Sequence, residues 1–208
     1  MTQGVRPALL VATTNSGKLR EIRELLADVA VDLLTLADLP PLDAPEETGA
    51  TFEENARLKA TYYSTHTGRL TVAEDSGLVI DALGGAPGVH SARYLRPDAP
   101  YAERFDEIYR QLEQRPWAER SARFVCALAV AAGNAVVFET TGTVEGEIAA
   151  SPRGAAGFGY DPIFLFPPYQ RTLAEVTRDE KLAVAHRGKA FRALAGWLRA
   201  RSIDTGTP

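Results

Sequence analysis

The apolar run Ala8-Leu9-Leu10-Val11-Ala12 stops at the polar cluster Thr13-Thr14-Asn15-Ser16-Gly17, and Leu19, Ile22, Leu25 and Leu26 then recur at helical spacing. A short buried strand, a tight turn and an amphipathic helix to about Asp28 account for this pattern. Such a βα unit commits the chain to packing helices against a sheet.

The remaining punctuation extends the same plan. Val31 to Leu36 reads as a second strand, and the proline-bearing stretch Leu39–Gly49 as a loop. Thr51 and Glu54 have the spacing of a capping box, which opens a helix carrying Phe52, Ala56, Leu58 and Ala60 and ending before Gly68. Leu70 to Ala73 is a short strand that ends in Glu74-Asp75-Ser76-Gly77, and Leu78-Val79-Ile80 is a further apolar stretch. Gly84-Gly85-Ala86-Pro87-Gly88 defeats both helix and strand. Tyr101 to Gln114 is helical by the spacing of Phe105, Ile108, Tyr109 and Leu112. Two strands, about 122–131 and 135–143, flank the hairpin signal Gly133-Asn134. After the glycine-rich segment 154–162 and the run Ile163–Phe166, a helix from about Ala183 to Ala200 closes the chain. Strands interleaved with helices, plus one hairpin, predict an α/β fold with a mixed sheet and no separable linker, hence one domain over residues 1–208.

Four groups of residues have chemical potential. Thr13, Thr14, Asn15, Ser16, Gly17 and Lys18 sit where a helix begins, so unsatisfied N–H groups, the helix dipole and an ammonium together suit a phosphate. A polar N-cap on a surface helix explains the same residues. A P-loop does not, because Ala12 and Leu19 stand where that motif needs Gly and Ser or Thr. The acidic pairs Glu46-Glu47 and Glu74-Asp75 offer hard oxygen ligands for a cation such as Mg²⁺, with one carboxylate to spare as a base. Lys59, Lys181, His186 and Arg187 are solvated side chains taken singly, and a triphosphate-binding set if they converge. Phe158, Gly159, Tyr160 and Asp161 either present aromatic faces and an acid to a nucleobase or form a bend with core aromatics.

Taken in order, Thr13-x-Asn15-x-x-Lys18, Glu46-Glu47-Thr48-Gly49, Phe52-x-Glu54-Asn55-Ala56-x-x-Lys59-Ala60, Glu74-Asp75-Ser76-Gly77-Leu78, Gly84-Gly85-Ala86-Pro87-Gly88, Ser91-Ala92-Arg93-Tyr94, Gly157–Pro162 and His186-Arg187-Gly188 resemble the inosine triphosphate pyrophosphatase family. The resemblance runs from about Leu9 to Leu198. It implies an elongated, two-lobed α/β fold around a long mixed sheet with flanking helices, an active-site cleft between the lobes, and a homodimer. It also implies Mg²⁺-dependent hydrolysis of dITP, ITP and XTP to the monophosphate and pyrophosphate, which clears deaminated purines from the nucleotide pool. By the same resemblance, Thr13 to Lys18 and Lys59 attend the phosphates. Asp75 is the general base and a metal-site carboxylate, Ser76 is a substrate contact, and Glu46 is the second metal-site acid, with Glu47 beside it an open alternative. Phe158, Gly159, Tyr160, Asp161, Lys181, His186 and Arg187 recognise the nucleotide. Two positions depart from the family pattern: Ala185 where Ser is frequent, and Glu74 where Asp is frequent.

Composition removes several other classes. A net charge of −4 gives no broad attraction for nucleic acid. The single cysteine, Cys126, lies in an apolar run and reads as a buried strand thiol. His66, His90 and His186 lack zinc-site spacing. With neither a signal-peptide pattern nor a membrane-length apolar run, a cytoplasmic address without membrane association is expected.

Overall fold

The structure, a computed structural model, describes residues 6–114 and 120–204. It is an α/β fold with a seven-stranded mixed sheet of order β2-β1-β3-β4-β5-β6-β7. The strands are β1 (Ala8–Val11), β2 (Asp32–Thr35), β3 (Thr71–Ile80), β4 (Ser121–Ala132), β5 (Ala135–Ile148), β6 (Phe164–Phe166) and β7 (Arg171–Thr172). The helices are α1 (Ser16–Leu25), α2 (Phe52–Thr67), α3 (Tyr101–Leu112), α4 (Arg178–Val184) and α5 (His186–Asp204). β1 pairs in parallel with both β2 and β3, whereas β6 pairs antiparallel with both β5 and β7.

By compactness the chain forms two units, each assembled from separated segments. The first comprises the segment ending at Asp75, Ala127–Thr141 and the segment from Gly188. Leu9, Leu10, Ile22, Ala60, Val72, Val130 and Phe191 are among its buried residues. The βα unit read from the sequence is present here, with Asn15 as the N-cap of α1. The capping box of α2 is formed by Thr51 and Glu54, and Gly68 ends that helix in the left-handed conformation. The second unit comprises Ser76–Cys126 and Gly142–Arg187. Its core gathers Leu78 and Ile80 of β3, Phe105 and Ile108 of α3, Phe124 of β4, Ile148 of β5, and Phe164 with Leu173.

Several elements differ from the sequence expectation, among them β5, which runs on to Ile148 past the expected end near residue 143. β3 is one ten-residue strand running through Glu74-Asp75-Ser76-Gly77, not a short strand ending there with a separate apolar stretch after it. Strand propensity disfavours that tetrapeptide, and side-chain partners described below override it. The closing helix begins earlier and is broken. α4 starts behind a Thr177–Glu180 capping box, Ala185 is extended, and α5 then starts at His186. The Thr-x-x-Glu spacing was the available signal. Two-residue β7 is too short for any periodicity to register.

Candidate active site

The first unit gathers an acid and lysine cluster. Asp75, only 6% exposed, lies within β3. Its Oδ1 accepts from Lys59 Nζ at 3.2 Å and its Oδ2 from Asn55 Nδ2 at 3.1 Å. Lys59 Nζ also donates to Glu47 Oε1 at 2.6 Å, so two carboxylates share one ammonium. Asn55 and Lys59 stand four residues apart on α2 and therefore share a helix face. Asn55 is fully buried and also takes the Gly49 N–H on its Oδ1 at 2.8 Å, tying the acidic loop to the helix.

Burial pushes the Asp75 carboxyl above its ordinary value, and Glu47 adds to the rise against the opposing pull of Lys59. Burial also works against the Lys59 ammonium, but Asp75 and Glu47 outweigh it and its pKa stands above the usual lysine value. A carboxylate with a raised pKa beside a fixed ammonium suits general-base work.

The α1 turn lies in the same unit. Thr14, Asn15 and Ser16 are exposed, Gly17 is buried, and the half-buried Thr13 Oγ1 accepts the Asn15 N–H. Asn15 Oδ1 takes the N–H of Lys18 at 3.0 Å, while the preceding helix-start amides have no acceptor within the helix. Lys18 Nζ is 3.8 Å from the buried Glu74 carboxylate.

Glu46, expected as the metal-site acid, is exposed and pairs with none of the described residues. Its neighbour Glu47 is the one that reaches Lys59 and influences Asp75. Among the described residues no group of three or more His, Cys, Asp or Glu is disposed to hold a metal ion. Two carboxylates that already share a cation nevertheless fit Mg²⁺, which takes one or two protein carboxylates and fills its remaining positions with water and phosphate oxygens.

The second unit holds an aromatic and cationic cluster. Gly157, at φ +74°, has no room for a Cβ beside the Asp161 carboxylate, so Asp161 Oδ2 reaches the Phe158 N–H at 2.8 Å. Asp161 also forms a buried ion pair with Lys181 of α4. Lys181 Nζ lies 4.7 Å and Arg187 Cζ 5.5 Å from the Phe158 ring centroid, within cation–π range. Arg187 donates to Ser76 Oγ at 3.0 Å. Ser76, Phe158, Asp161, Lys181 and Arg187 are thus brought together.

Tyr160 is not part of that aromatic face. It is buried edge-on against Tyr101 at 5.2 Å, and its hydroxyl donates to the Ser91 carbonyl at 2.9 Å. Gly159, at φ +67°, supplies the turn between the two aromatics and faces the Tyr101 ring. His186 is buried and stacked on Phe124 at 4.8 Å, at the start of α5.

The model of the Ham1 family matches residues 9–197. The chain belongs to the Ham1 family. Among Ham1 relatives, a dITP/XTP pyrophosphatase of Geobacillus kaustophilus is 47% identical over 188 residues, covering 89% of this chain and 91% of its own length. A dITP/XTP pyrophosphatase of Yersinia pseudotuberculosis is 45% identical, covering 92% of this chain and 98% of its own. The solved structure of a HAM1 protein from Coxiella burnetii shares the fold with a TM-score of 0.85 at 42% identity, covering 93% of this chain and 99% of that one.

Sequence reasoning included Asn55 in a family motif but gave it no role, and it left Glu47 as the alternative to Glu46. Asn55 carried a signal, since it lies one helical turn before Lys59.

Proposed function

We propose that this Ham1 chain is a nucleoside triphosphate pyrophosphohydrolase that converts dITP, ITP and XTP to the monophosphate and pyrophosphate, clearing them from the nucleotide pool. The observation that carries the reading is the buried Asp75 carboxylate, held by Asn55 and Lys59 with Glu47 on the same ammonium. The Ham1 relatives named dITP/XTP pyrophosphatase support the substrate class.

Asp75 orients a water molecule and takes its proton as the oxygen attacks the α-phosphorus, and pyrophosphate leaves. Asn55 fixes Asp75 Oδ2, so the rotamer of the base is set before substrate arrives. Lys18 and the free amides at the start of α1 bind phosphate oxygens. Glu47 and Asp75 are the residues that would hold Mg²⁺, which when bound neutralises phosphate charge and lowers the barrier to attack. Phe158 offers its ring to the purine, and the N–H groups of Lys181 and Arg187 suit the 6-oxo acceptor of hypoxanthine and xanthine. Adenine carries an amino donor there, and donor facing donor leaves both unpaired. Asp161 and Tyr160 support that recognition: Asp161 fixes Lys181 and the Phe158 amide, and Tyr160 anchors the loop in the core. A cytoplasmic homodimer completes the reading; among the described residues no helix is long and apolar enough to cross a membrane.

Pyrophosphate release from dITP, ITP, XTP, GTP and ATP, with and without Mg²⁺, tests this. Release from the first three only, and only with Mg²⁺, is expected; the 6-oxo contact rejects ATP, and the exclusion of GTP, which shares that oxygen, rests on the relatives named dITP/XTP pyrophosphatase. Equal rates on ATP or GTP contradict the substrate assignment, and undiminished rates in chelator contradict the cofactor.

A further inference from the structure

Arg104, in the first turn of α3, is 3% exposed, and no carboxylate among the described residues pairs with it. Its two terminal nitrogens are spent on backbone carbonyls, while its buried Nε has no hydrogen-bond partner among the described residues. Nη1 donates to Ser91 O at 2.9 Å and Ala92 O at 3.0 Å, and Nη2 to Arg96 O at 3.3 Å and Pro97 O at 3.2 Å. The exposed Tyr101 ring lies 4.8 Å from its Cζ. The four carbonyls bracket Leu95, whose φ of +67° is unfavourable for a branched side chain, so the loop keeps a strained shape that Arg104 holds closed.

The clamped loop touches both halves of the recognition cluster. Ser91 Oγ accepts the N–H of Leu78 at 2.9 Å and donates to Gly88 O at 2.7 Å. Its approach to β3 is so close that a Cβ at Gly77 would overlap Ser91 Oγ. Leu78 and Gly77 directly follow Ser76, the partner of Arg187. The Ser91 carbonyl, besides taking Arg104, accepts the Tyr160 hydroxyl at 2.9 Å, two residues from Phe158. One residue therefore fixes the strand that carries Ser76 and the loop that carries Phe158.

We propose that Arg104 is a positioning residue for nucleotide recognition, acting through Ser91 to hold Ser76 and the Phe158–Asp161 loop in register. The proposal rests on the pyrophosphohydrolase reading. A guanidinium is suited to the task because its planar fork satisfies four carbonyls at once, which an ammonium with three donors cannot.

The test is steady-state pyrophosphate release from XTP, with XTP binding measured by calorimetry, for wild type, Arg104→Ala, Arg104→Lys and Tyr160→Phe. Loss of recognition geometry without loss of the Asp75 cluster raises KM about ten-fold in Arg104→Ala with kcat within about two-fold. Arg104→Lys should lie between Arg104→Ala and wild type, and Tyr160→Phe, which removes one hydroxyl only, should raise KM about three-fold. A merely structural role would lower kcat in step with the folded fraction and leave KM and Kd unchanged, and that result overturns the proposal. If Arg104→Ala does not fold, unchanged KM in both Arg104→Lys and Tyr160→Phe overturns it. Wild type that neither binds nor cleaves XTP overturns the functional reading and this proposal together; wild-type turnover with unaltered variants overturns this proposal alone.

Discussion

Glu46 and Glu47 are chemically identical neighbours in different surroundings. Glu46 is exposed, while Glu47 is partly covered and bonded to Lys59. Glu47→Gln is expected to lower Mg²⁺-supported turnover about ten-fold or more, and Glu46→Gln to leave it within about two-fold, as read from pyrophosphate release against Mg²⁺ concentration. The family resemblance points to Glu46 and leaves Glu47 open, and residue patterns carry no sign of which acid meets Lys59, because that depends on how the Gly49–Asn55 hydrogen bonds tie the loop to α2. Asp75 invites a second residue-scale test. In the metal-free protein its carboxyl should titrate above 3.8, because burial disfavours the charged form. Glu47→Gln removes a like charge and should bring that pKa down, whereas Lys59→Met removes the opposing ammonium and should send it further up. Carboxyl chemical shifts followed against pH check both signs.

Elements were legible where periodicity and caps were strong, and illegible where tertiary partners overrode local preference. α2 announced itself through Thr51, Glu54 and Gly68, all of which occupy the positions their chemistry favours. β3 did not, because Glu74, Asp75 and Ser76 are poor strand formers whose place in the strand is stabilised by Lys18, Lys59, Asn55 and Arg187. The loop 157–161 was ambiguous for a different reason. Two aromatics around a glycine do not reveal which one turns inward, and the structure sends Tyr160 into the core and leaves Phe158 half-buried beside two cations. Gly157→Ala tests how that loop is built. The added Cβ meets the Asp161 carboxylate at a positive φ, so a loss of about 1–3 kcal/mol in urea unfolding and a raised KM for XTP are expected. Unchanged stability would mean that Asp161 does not hold the Phe158 amide.

At the scale of the whole molecule, the α/β class and the mixed sheet could be read from alternating strand and helix patterns, but the partition into units could not. Each unit draws on segments far apart in sequence, and β3, β4 and β5 each carry residues of both. Local patterns contain no trace of such long-range assignment. A fragment ending at Asp75 lacks Ala127–Thr141 and the segment from Gly188, and circular dichroism should show no cooperative thermal transition for it. The chemistry is equally a property of the assembled chain, since Asp75, Lys59, Asn55 and Glu47 come from a strand, a helix and a loop. The most direct test of the account is pyrophosphate release from XTP by wild type and by Asp75→Asn at saturating substrate and Mg²⁺, with thermal unfolding of both recorded. A fall in rate of about 10²–10⁴ with the unfolding transition preserved is the predicted result. A folded Asp75→Asn protein that turns over XTP at the wild-type rate would contradict it.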